Sequence, residues 1–175
     1  MKRQKNLSMV LAAMFLAFGL LLPLLTGANR VLGNLLCLMH LPILLCGFVC
    51  GPWWGLAVGV ITPLLRSLLF GAPPVPTCLF MAAELAVYGF LSGLLYRLLP
   101  KKLPFLYVAL IVAMLAGRAV NGIVQLLVTG AEAYTLPYFL TTNFANAWLG
   151  ILVQIVLIPL IVGALTRAKK LPIEK

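Results

Sequence analysis

Acidic and metal-binding side chains are scarce in this sequence of 175 residues. It has three acidic residues, all glutamate, and one histidine, His40. A catalytic or structural zinc site needs three or four Cys, His or carboxylate ligands, and the four cysteines have no metal-site spacing with a histidine. Ser67 has no evident base beside it. We therefore expect no metal site, and we expect that the chain is not an enzyme.

Long polar stretches are also missing. Charged residues make up 9% of the chain and apolar residues 63%, against about 45–50% apolar in soluble proteins. Apolar runs long enough to cross a bilayer recur along the whole sequence. The composition predicts an all-α integral membrane protein, with residues 1–175 forming one domain.

Six membrane spans are predicted from the apolar runs and the Pro/Gly-rich breaks between them. The first resembles a signal peptide, but its apolar core exceeds the usual ~7–15 residues, and we expect it to be retained. The predicted spans are about 7–25, 34–50, 54–70, 78–97, 105–128 and 138–165. Six spans place both termini on one side of the membrane.

The distribution of cations gives the orientation. Ten of the 13 Lys and Arg residues fall on the side of the termini, in the N-terminal segment, the loop between spans four and five, and the tail. The opposite loops carry Arg30 alone. This asymmetry predicts cytoplasmic termini in a multi-pass protein of the plasma membrane. Because the cations cluster at span ends, the net charge of +10 indicates a bilayer partner and no nucleic acid.

Polar side chains inside the spans gather in the outer half of the membrane. Ionisable groups cost at least ~2.5–3.5 kcal/mol each in hydrocarbon, so they usually face protein or water and mark function. Their grouping predicts a pocket for a small molecule that opens to the outside. The candidate residues are His40, Arg66, Glu84, Tyr88, Arg118, Asn121, Gln125, Asn143 and Asn146.

Structural roles for these residues stay open at this point. Glu84 could pair with Arg66 or Arg118 and hold helices together, and the asparagines could bond between helices. Two arginines and one glutamate still leave one excess cation. A carboxylate ligand could satisfy it, since guanidinium binds carboxylate in a bidentate manner.

Small residues form a second pattern, in span one. Ala13 and Ala17 are four residues apart, a spacing that lets another helix approach closely. The neighbouring helix could belong to this chain or to a partner.

Three runs of the sequence carry a family resemblance: "HLPILLCGFVCGPWWGLAVGVITPLLRSLLFGAPPVP", "MAAELAVYGFLSGLLY" and "AGRAVNGI". With six spans in 175 residues and cytoplasmic termini, the chain resembles the substrate-binding S components of energy-coupling factor (ECF) vitamin transporters. S components tend to carry three alanines at i, i+4 spacing in span one, and here Met9 stands at the first of these positions.

The resemblance implies a transport mechanism. An S component binds a vitamin-like small molecule from outside under a lid, here about residues 26–33 with Asn29 and Arg30. It then docks through Met9, Ala13 and Ala17 on a transmembrane coupling (T) component driven by two ATP-binding cassette ATPases. The chain itself is expected to bind no cofactor, because it lacks the phosphate-binding loop of ATPases and ATP is used by the partners. The cell is expected to be bacterial.

The ligand is the least determined element. The arginines favour an acid such as pantothenate, nicotinate or lipoate. Pantothenate is the preferred candidate, because its hydroxyls and amide suit Asn121, Gln125 and Asn143. The alternative functions are a stand-alone small secondary transporter, although no internal repeat is evident, and a non-transporting membrane anchor or assembly protein, which would not need a polar pocket.

Overall fold

The computed structural model describes residues 2–26, 33, 35–130 and 134–168, and these residues form helices and short connections without a strand. The predicted all-α membrane fold is confirmed. The helices are α1 (Lys2–Leu21, continued by a 3-10 turn at Leu22–Thr26), α2 (His40–Cys50), α3 (Pro52–Phe70), α4 (Val75–Leu98), α5 (Leu103–Thr129), α6 (Leu136–Asn143) and α7 (Trp148–Arg167).

Five helical stretches of the described chain are long and apolar enough to cross a membrane. They are Asn6–Leu25, Pro52–Phe70, Val75–Leu98, Leu103–Thr129 and Leu136–Arg167. Each lies close to a predicted span. α4 begins at Val75, three residues before the predicted start, and this places Glu84 about 14 Å below the outer end of the helix at the helical rise per residue.

The second predicted span differs from the structure. A continuous helix over 34–50 is not formed, because α2 begins only at His40. The backbone turns at Cys37, which has a φ of 46°, and the His40 amide donates to the Cys37 carbonyl at 3.0 Å. The 11 residues of α2 cover about 16 Å, roughly half of the hydrocarbon thickness. Pro42 lies in the first turn of α2, where its missing N–H costs nothing.

The sixth span is also interrupted. α6 ends at Asn143, a 3-10 turn covers Ala145–Ala147, and α7 continues from Trp148. Both irregular segments lie toward the end of the bundle opposite the chain termini. Non-helical backbone at membrane depth is tolerated where it is buried in protein or lines a cavity, so these breaks indicate where the bundle departs from simple helix packing.

Glycines bring α2, α3 and α4 into backbone contact. A Cβ built on Gly55 would lie 2.3 Å from the Gly89 carbonyl oxygen, one on Gly59 would lie 2.3 Å from the Leu85 carbonyl oxygen, and one on Gly47 would lie 2.4 Å from the Gly89 oxygen. Small residues at such positions allow close helix packing in a membrane. These three helices therefore form the rigid centre of the bundle.

α1 lies at the periphery of the bundle. Ala12, Phe15 and Gly19 face the other helices and are buried. At Gly19 an added Cβ would lie 2.7 Å from the Thr62 side chain of α3 and 3.7 Å from Pro42 of α2. Only 17% of the most apolar window of this span is buried, against 50% for α4. One broad face of α1 is thus left uncovered by the rest of the described chain.

The glycine contacts predict that a change from glycine to alanine destabilises the protein strongly at one position and little at another. Gly89→Ala would place a methyl group 2.2 Å from the Gly55 carbonyl oxygen, and backbone cannot move aside easily, so we expect a loss of stability of about 1–3 kcal/mol. Gly163→Ala is the matched control, because its Cβ would meet Leu103 at 3.7 Å. Thermal unfolding in detergent measures both. Equal melting temperatures for the two variants would contradict the tight packing of α3 on α4.

Candidate functional site

Glu84 is the centre of a buried polar cluster formed by three helices. α4 supplies Glu84, which is 5% exposed. The first residue of α2, His40, places Nε2 3.7 Å from Glu84 Oε1, and Asn121 of α5 donates from Nδ2 to Glu84 Oε2 at 2.8 Å. Both carboxylate oxygens therefore face a polar group from another helix.

The cluster extends along α5 and α4. Gln125 is half-buried and donates through its amide nitrogen to Asn121 Oδ1. Tyr88, one turn after Glu84, is fully buried, and its ring centroid lies 5.5 Å from that of His40. The Tyr88 ring packs directly on Gly117, where no Cβ could fit. The structure thus brings together five of the nine residues that the sequence singled out, with Arg118 as the sixth.

Arg118 lies beside this cluster in an unusual environment. It is 3% exposed, and its Cζ lies 5.1 Å from the centroid of the Phe144 ring. Glu84, the one acidic residue in the described ranges, forms its ion pair with His40 and not with Arg118. The guanidinium therefore has an aromatic face on one side and no carboxylate partner among the described residues.

Arg66 occupies a different place. Its Nη1 donates to the Leu20 carbonyl at 3.1 Å, at the end of α1, and its Cζ lies 5.8 Å from the centroid of the Phe70 ring. Of the two arginines weighed as partners of Glu84, Arg66 thus makes its hydrogen bond to α1 instead. Its guanidinium connects α3 to the last turn of α1 outside the Glu84 cluster.

The two asparagines of the sixth span have different environments. Asn143 is buried and donates to the Tyr134 hydroxyl at 3.4 Å and to the Phe139 carbonyl at 3.2 Å. Asn146 is exposed in the 3-10 turn. Asn29 and Arg30 of the predicted lid lie outside the described residues.

Sequence reasoning missed two features of this region. Phe144 gave no signal, because its contact with Arg118 arises from the break after α6. The start of α2 had a usable signal in Pro42, which favours the first turn of a helix and would have placed His40 at the helix N-terminus.

Four buried polar side-chain atoms have no hydrogen-bond partner in the described chain. They are Nδ1 of His40, the hydroxyl oxygen of Tyr88 and both amide atoms of Gln154. Gln154 is fully buried in α7, one turn after Gly150, which packs against Leu36 and Cys37. A buried polar atom without a partner costs about 1–3 kcal/mol. These atoms are suited to a polar group that comes from outside the chain.

A separate groove of about 490 Å³ lies at the other end of the bundle, between the start of α5 and the end of α7. It contains none of the residues around Glu84. Its position at the cation-rich end distinguishes it from the outer cluster that the sequence predicted.

Comparison with known proteins agrees with these features. A family model described as "ECF transporter, substrate-specific component" matches residues 7–168. No curated protein and no solved structure matches the chain significantly. The match covers nearly all of the sequence and is to a family of transporter substrate-binding components, not to an enzyme family. The chain therefore belongs to the family of substrate-specific S components of ECF transporters.

Proposed function

We propose that this S component captures a small carboxylic acid, with pantothenate as the preferred candidate, in the outer cluster around Glu84 and Arg118. The observation that carries the proposal is the buried guanidinium of Arg118 without a carboxylate partner in the described chain. A buried charge needs a partner, and a carboxylate matches the planar donor fork of arginine.

The pairing of Glu84 supports a role for Arg118 toward a ligand. His40 and Asn121 already face the two oxygens of Glu84. An incoming carboxylate would therefore not compete with an existing bidentate pair between Glu84 and Arg118. The Phe144 ring covers one face of the guanidinium and leaves its in-plane N–H donors to bind the ligand.

The broken second span adds positive potential to the same region. α2 begins at His40, within the membrane, and the N-terminus of a helix carries a partial positive charge of about half an elementary charge. Discontinuous membrane helices in transporters present such ends to anionic substrates. The helix end and Arg118 together favour an anion over a neutral ligand.

Amide groups of α5, α6 and α7 suit the remainder of a pantothenate-like molecule. Gln125 lies one turn before the end of α5 and Asn143 is the last residue of α6, and the Gln154 amide and His40 Nδ1 have no partner in the described chain. Hydroxyl and amide groups of the ligand would satisfy such atoms, and a site built for them rejects analogues that lack them. Asn146 and the lid residues Asn29 and Arg30 stay predictions for the outer rim of the site.

The first prediction concerns the charge of the ligand. A thermal-shift screen of the purified protein would compare pantothenate, nicotinate and lipoate with their neutral partners pantothenol, nicotinamide and lipoamide. We expect one acid to raise the melting temperature, since a ligand at 100 times its Kd stabilises the folded state by about 2.7 kcal/mol. Its neutral partner should give no shift at the same concentration. A larger shift with the neutral compound would contradict the carboxylate site.

The second prediction separates the two arginines. Arg118→Lys should weaken binding of the identified acid at least about tenfold, because a lost charged hydrogen bond costs about 1.5–3 kcal/mol. Arg66→Gln is the control: it removes the contact with the Leu20 carbonyl and should lower the melting temperature while leaving Kd within about twofold. Isothermal titration calorimetry measures both. Unchanged affinity in Arg118→Lys would remove Arg118 from the site.

The exposed face of α1 supports the proposed docking to a T component and its ATPases. Met9, Ala13 and Ala17 lie together on the face that is turned away from α2 and α3, and all three are exposed. Two of them are small, so a partner helix could approach the backbone closely. We propose that this face docks on the coupling protein and that transport depends on ATP hydrolysis by the partners.

The third prediction tests this docking face. Ala13→Trp should block ATP-dependent uptake in cells that contain the coupling module, with ligand binding unchanged, because the indole fills the space of the partner helix. Met14→Trp is the control, since Met14 is already large and 42% exposed and lies about 100° around the helix. Normal uptake by Ala13→Trp, or uptake without any coupling module, would refute the proposal.

A further inference from the structure

The groove at the cation-rich end of the bundle has a layered arrangement of side chains. Its rim carries Lys101 and Lys102, in the connection between α4 and α5, and Arg167 at the end of α7. Its walls below the rim are apolar surfaces of α5 and α7, and they include Leu103 and Leu160, which are 51% and 66% exposed. Cations at one end and an apolar channel below them form an amphipathic site.

The depth of the groove corresponds to one leaflet of a bilayer. The lining of α7 runs from Arg167 to Val156, and the 11 helical steps between these two residues cover about 16 Å. This is about half of the ~30 Å hydrocarbon core. The positive-inside rule assigns the rim to the cytoplasmic surface, so the walls extend from the inner interface to about the bilayer centre.

Polar groups at the top of the groove suit a headgroup. Tyr96 and Thr166 share a hydrogen bond of 2.9 Å between their hydroxyl oxygens, and both residues line the groove. Lys101 Nζ lies 6.0 Å from the centroid of the Tyr96 ring. Lys102 and Arg167 line the rim together, and none of the described residues in the lining is acidic. Their two positive charges are therefore complementary to an anion.

We propose that this groove binds one anionic phospholipid of the inner leaflet, with the phosphate between Lys102 and Arg167 and an acyl chain along Leu103, Leu160 and Gly163. Basic pockets between transmembrane helices on the cytoplasmic side are typical sites for anionic headgroups. The apolar walls distinguish the lipid from free phosphate, which would use the rim alone. The site is at the opposite end of the bundle from the cluster around Glu84 and Arg118 and does not depend on it.

The test uses the full-length protein in detergent micelles, with phosphatidylglycerol added and retained lipid measured by native mass spectrometry. Phosphatidylglycerol should be retained and should raise the melting temperature, whereas phosphatidylcholine and glycerol 3-phosphate should do neither. In Lys102→Gln/Arg167→Gln we expect about 30-fold weaker binding, since each cation near an anionic surface contributes about 1 kcal/mol.

Two further variants make the result specific. Arg97→Gln removes a positive charge from the same end of the protein but outside the groove, since the Arg97 guanidinium packs on Gly51, and it should retain phosphatidylglycerol as wild type does. Gly163→Leu should expel the lipid without a change of charge, because among the described residues only Leu103 lies within 4 Å of the Gly163 Cβ position and the leucine would fill the groove. Loss of phosphatidylglycerol from Arg97→Gln equal to the loss from Lys102→Gln/Arg167→Gln, or stabilisation by glycerol 3-phosphate alone, would overturn the lipid site.

Discussion

The buried carboxylate of Glu84 needs polar partners inside the membrane, and the residues that supply them come from different helices. An ionised side chain at the centre of a membrane helix costs at least ~2.5–3.5 kcal/mol, and Glu84 is 5% exposed. Its oxygens face His40 from α2 and Asn121 from α5. Through these contacts Glu84 connects α2, α4 and α5. The Arg118 guanidinium lies beside the cluster and forms no ion pair with Glu84.

The helices pack differently at the two ends of the bundle. At the end that carries the termini, Gly47, Gly55 and Gly89 bring the backbones of α2, α3 and α4 into contact. At the opposite end, the helices are interrupted at Cys37 and after Asn143. The chain belongs to the substrate-specific components of ECF transporters, and the proposed ligand site lies at the interrupted end.

The attachment of α1 shows how a polar side chain can have a mechanical role inside a membrane protein. Arg66 donates to the Leu20 carbonyl in the last turn of α1 at 3.1 Å. The guanidinium thereby links α3 to the end of α1, the helix with the largest uncovered face. A cation placed between leucines here finds its hydrogen-bond acceptor in the backbone of a neighbouring helix.

Hydropathy and Pro/Gly breaks determined the all-α membrane class and the approximate positions of the long spans, since each of these is a property of a single segment in a bilayer. The charge asymmetry predicts cytoplasmic termini, and this orientation stays a prediction. The family resemblance followed from the same segments. Only the tertiary structure decided which polar groups meet: Arg66 with Leu20, Glu84 with His40 and Asn121, and Arg118 with Phe144. These contacts depend on helix rotation and on the late start of α2 at His40, and a one-dimensional pattern carries neither.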